Sequence, residues 1–62
     1  MGQRIQAKRR EVGITQEKLA ELTDLDRRSI QKIEAGSITA LVTTVQRIRK
    51  VLGCRYDDLL PD

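Results

Sequence analysis

The residues best equipped to act on a partner lie close together near the middle of the chain. They are Arg27, Arg28, Gln31 and Lys32, and the stretch 27–32 contains no acid. A guanidinium presents a planar fork of N–H donors, an ammonium a compact charge, and a Gln amide both donates and accepts. A cluster of this kind is the electrostatic footprint of a polyanionic partner. The formal net charge of +3 agrees with that, although many ordinary small proteins are as basic.

Bond-making chemistry has no counterpart. There is no histidine, and one cysteine, Cys54, which leaves neither an internal disulfide nor a His-containing zinc site. Cys54 stands between Gly53 and an apolar turn and reads as a small buried filler. Asp57 and Asp58 are adjacent acids, but at the head of a helical turn the helix dipole accounts for them. No nucleophile–base pair, phosphate-cradling loop or metal-ligand spacing is present, so the sequence points away from an enzyme and calls for no cofactor or metal. Tyr56 is the only aromatic residue, which counts against modules that stack unpaired bases.

Short helices must position the basic cluster. With 62 residues, 34% of them charged and 39% hydrophobic, the chain is expected to form one small globular domain over 1–62. Gly13, Gly36 and Gly53 fall where helical patterns stop, and nothing between them alternates with the period of a strand. Five helices are expected. The first spans about 2–12, with Ile5, Arg9 and Val12 on one face. Thr15 caps a second over 16–23, whose Leu19, Ala20 and Thr23 turn inward. Asp24 and Leu25 form a tight turn, and Asp26 caps a third over 27–35. A loop with Ser37 and Thr39 leads to a fourth over 41–52, where Leu41, Val45, Ile48 and Leu52 recur at helical spacing. A last turn over 56–60 packs Leu59 and Leu60. The fold class is all-α, a compact orthogonal bundle.

On the third helix, at about 100° per residue, Arg27, Arg28, Gln31 and Lys32 share an arc of about 140°, with Ile30 and Ile33 opposite. An Arg fork matches the O6 and N7 acceptors of guanine, and Gln suits adenine. On an arbitrary helix the same side chains would be a solvated face. Their setting argues otherwise, because 16–35 has the grammar of two helices packed steeply across a short turn. Ala20 is small at the close approach, Leu25 closes the turn from inside, and Ile30 and Ile33 bury the third helix against the second.

With GITQEKLAELT over the second helix, SIQKIEAG closing the third and VLGCRYDDLL near the end, the chain resembles the Cro/CI-type, lambda-repressor-like helix-turn-helix family over essentially its whole length. The resemblance implies a five-helix DNA-binding domain with the helix-turn-helix at helices 2 and 3. It further implies a regulator of transcription that inserts 27–35 into the major groove of double-stranded DNA, as a homodimer on a palindromic operator. Base contacts are then expected from Arg27, Arg28, Gln31 and Lys32, and phosphate contacts from Gln16, Ser37 and Thr39. For Gln16 plain helix capping is the competing role, and for Ser37 and Thr39 the two readings are about even. Arg9 and Glu34 match a partly buried ion pair of the family. The dimer surface is expected at the loop before the fourth helix and near Tyr56, Leu59 and Leu60.

Four positions depart from the family pattern: Asp24 where Gly is usual, Ala40 where Pro commonly opens the fourth helix, Arg49 for Ala, and Arg55 for a small cap. A different function remains open on the same fold, that of an antitoxin or adaptor acting mainly through a protein partner. With no secretory signal and no apolar run of membrane-spanning length, a soluble cytoplasmic protein of bacterial or phage origin is expected.

Overall fold

The structure is a computed structural model that describes residues 1–60; the last two positions of the domain expected over 1–62 lie outside the described residues. Four α-helices follow in order, α1 (Gly2–Val12), α2 (Gln16–Thr23), α3 (Arg27–Ala35) and α4 (Val42–Leu52), and a 3₁₀ turn (Tyr56–Leu59) comes after them. No strand occurs among the described residues.

Local chemistry fixes the helix ends around the functional segment. The Thr15 hydroxyl accepts from the Lys18 backbone N–H at 3.0 Å, and the Asp26 carboxylate accepts from that of Arg28, also at 3.0 Å. Each satisfies one of the donors that the first turn of a helix leaves without an intrahelical partner. Asp24 ends α2 at φ 58, the only non-glycine residue with positive φ among those described. An Asp tolerates this left-handed conformation better than most side chains, so the tight turn closes without glycine. The Leu25 backbone N–H then donates to the Ala20 carbonyl at 2.8 Å, which seals the turn.

Ile5, Leu19, Ile30, Val45, Ile48 and Leu59 are completely buried, so every helix and the 3₁₀ turn send a side chain into one core. Burying such a side chain contributes about 1.5–3 kcal/mol, and this common centre holds the helices at fixed angles. Thr23 is buried too, and its hydroxyl donates to the Leu19 carbonyl at 2.7 Å, so it adds no unsatisfied polar atom.

Three details differ from the sequence expectations. Leu41, expected inside the apolar stripe of the fourth helix, is the extended N-cap of α4 and is 72% exposed. Helical spacing cannot aim a side chain that precedes the helix, and the stripe reduces to Val45, Ile48 and Leu52. Val12 shares the face of Ile5 by angle, yet it is exposed because it ends the helix immediately before the left-handed Gly13. The final helix over 56–60 is instead a 3₁₀ turn over Tyr56–Leu59, with Leu60 half-buried after it.

Candidate nucleic-acid interface

α3 is two-faced. Ile30 and Ile33 are buried against the core, while Arg27, Arg28, Gln31 and Lys32 are all exposed. None of these four side chains has a hydrogen bond or ion pair among the described residues, in contrast to Lys8 and Lys18, which pair with Glu11 and Glu21. The Asp26 carboxylate is held by the backbone N–H of Arg28, so the acid nearest the cations is engaged in capping. Together they make a rigidly mounted, outward-facing row of donors.

A second cluster joins the start of α2 to the end of α3. Arg9 Nε donates to Glu34 Oε2 at 2.8 Å and Arg9 Nη2 to Glu34 Oε1 at 3.2 Å. Arg9 Nη1 also donates to the Ile14 carbonyl at 2.8 Å, and both charged side chains are buried. This forked, fully bonded geometry is what makes a buried pair tolerable, and removing one partner would cost about 3–5 kcal/mol. Gln16 belongs to the same cluster, its Nε2 donating to Glu34 Oε1 at 3.1 Å. The sequence suggests a phosphate contact or plain helix capping for Gln16; nothing local signals this link, since 18 positions separate the partners. One amide N–H remains for another acceptor.

Ser37 and Thr39 are exposed in the loop after α3, where the Ser37 backbone N–H closes on the Lys32 carbonyl at 2.9 Å. Beside them stand the exposed apolar residues Ile38, Leu41 and Val42, of which Leu41 is expected from its spacing to be buried. Of Tyr56, Leu59 and Leu60, which the sequence expects to share a contact surface with this loop, Leu59 is consumed by the core and the other two are half-buried. Cys54 is half-buried, and burial followed by the nearby Asp58 carboxylate pushes its thiol above the usual range. Asp58 itself accepts from the Arg55 backbone N–H at 3.0 Å, so its role is to cap the 3₁₀ turn.

A short helix bearing exposed cations, docked by its apolar side on a preceding helix across a tight turn, defines a helix-turn-helix DNA-binding domain. A family model described as helix-turn-helix matches residues 5–59. Among solved structures, the restriction-modification controller protein C.AhdI from Aeromonas hydrophila superposes with a TM-score of 0.91 at 29% identity, over 95% of this chain and 86% of that one. No curated protein sequence matches the chain. The chain belongs to the Cro/CI-type helix-turn-helix family and is a DNA-binding regulator, not an enzyme. Among the described residues, no helix is long and apolar enough to cross a membrane.

Proposed function

We propose that the chain is a sequence-specific reader of double-stranded DNA that controls transcription as a homodimer, in the manner of a restriction-modification controller. The observation that carries the reading is the set of four exposed donors on α3, without partners among the described residues, opposite the buried Ile30 and Ile33. Arg27 and Arg28, at the N-terminal end of the recognition helix, meet base edges, and Gln31 and Lys32 follow one turn on. Gln16, through its remaining amide N–H, and the hydroxyls of Ser37 and Thr39 hold flanking phosphates, which orient the domain without specifying sequence.

One such helix covers only one groove. Pairing through the exposed Ile38, Leu41 and Val42 brings two copies onto half-sites about 34 Å apart. A controller of this kind works in the cytoplasm, where the DNA is. Selection of bound sequences from a random duplex pool tests the reading. A two-fold symmetric motif with half-sites about 10 base pairs apart is expected. A single ungapped half-site would remove the dimer, and the absence of any enriched motif would favour the same fold acting on a protein partner.

A further inference from the structure

The start of α1 touches the end of the recognition helix backbone to backbone. A Cβ placed on Gly2 would lie 2.2 Å from the Ile33 carbonyl oxygen and 2.7 Å from that of Glu34, with the Glu34 carbonyl carbon at 3.0 Å. All three obstacles are main chain, so no side-chain rotation could make room. Gly2 is therefore glycine for closeness of approach, not for a special turn. In the first turn of a helix its own conformation would suit alanine better.

Both partners in this contact are pinned. Ile5, three residues along α1, is completely buried, and Arg9, one turn further on, is tied to the Glu34 side chain by a buried fork. On the other side, Ile33 and Glu34 themselves are buried. A methyl group at position 2 must then displace either the last turn of α3 or the first turn of α1 by about 1 Å, and recognition geometry tolerates only about 0.5 Å. Gly2 contacts the far end of α3 from Arg27 and Arg28, so where the last turn of α3 yields, the recognition helix tilts about its capped N-terminus.

From this contact we infer that Gly2 is a positioning residue for DNA reading: it seats the C-terminal turn of α3 at the height from which the exposed side chains reach base edges. The inference rests on the DNA-reading function proposed above. It assigns to Gly2 an effect on sequence discrimination without any contact between Gly2 and DNA.

Gly2→Ala, with Gln3→Ala at the adjacent exposed position as control, tests it by fluorescence anisotropy on a pool-selected duplex and a random duplex. Helical content is followed by circular dichroism. Gly2→Ala is expected to stay helical and to lose at least tenfold in preference for the selected duplex, with random-duplex affinity within twofold of the unaltered chain. Gln3→Ala keeps both. A second variant, the chain beginning at Gln3, removes the contact instead of overfilling it; it keeps every completely buried side chain, gives up the half-buried Met1 and its bond from the Ile5 N–H, and is expected to lose the same preference. A folded variant of either kind with an unchanged preference overturns the inference, because the first turn of α1 has then simply peeled away. Loss of the fold in both makes Gly2 a requirement for folding alone and overturns it equally. Failure of the unaltered chain to bind either duplex would instead overturn the DNA reading itself.

Discussion

At the scale of single residues, the proposed contacts stand on the exposed side of a helix whose other side is buried. Arg27, Arg28, Gln31 and Lys32 follow from residue type and helical angle alone, and α3 displays all four to solvent. The bond from Gln16 to Glu34 arises only when helices distant in sequence meet, so no spacing rule could announce it. Arg28 gives the sharpest test of a base contact. Arg28→Ala is expected to weaken binding to a pool-selected duplex by about 1–3 kcal/mol while leaving random-duplex binding nearly intact, read by anisotropy titration. Equal losses on both would make Arg28 a phosphate contact. Cys54 offers a prediction independent of DNA. Because burial and Asp58 raise its thiol above the ordinary value of 9.0, the native chain holds less thiolate than the unfolded one at any pH near that value. Alkylation by iodoacetamide at mildly alkaline pH is therefore expected to be slower in the native chain than in urea. The folded state also keeps this proton more tightly, so its contribution to stability falls as pH rises past about 9.

At the scale of elements, glycine and capping signals located the helices well because each acts within a turn of the chain. Thr15 and Asp26 accept the backbone hydrogen bonds that their positions demand, and Gly13, Gly36 and Gly53 all adopt the left-handed conformation. The start of α4 was less legible. No polar side chain caps it, and periodicity alone drew Leu41 into a stripe that begins one residue later. The Asp24 turn shows how a local departure is absorbed: a residue with a side chain sits at φ 58 and the Leu25 N–H still closes the motif. Asp24→Gly relieves that conformation and is expected to stabilise the domain by about 0.5–1 kcal/mol, measured as a higher urea midpoint. An unchanged or lower midpoint would mean that the Asp side chain supports the turn in a way the backbone does not reveal.

At the scale of the whole molecule, fold class was the most legible property, since the core needs only an apolar residue from each element at the right phase. Assembly was the least. Leu59, a natural candidate for a contact between copies, is completely buried, and three of the exposed apolar residues, Ile38, Leu41 and Val42, fall together around the start of α4. Leu41→Asp is expected to leave the monomer folded, since the residue is 72% exposed and Asp suits the N-cap of α4, and to convert a sedimenting dimer to a monomer. A dimer that survives this change would pair through another surface. The claim on which the rest depends is that α3 reads duplex DNA. Its most direct test is a salt titration of the unaltered chain against a pool-selected and a random duplex in parallel. Affinity is expected to fall with salt at a log–log slope of about −0.9 per phosphate neutralised, with the selected duplex bound about 10³-fold or more tighter than the random one at physiological salt. No binding to either duplex at low salt, or equal binding to both across the titration, would contradict it.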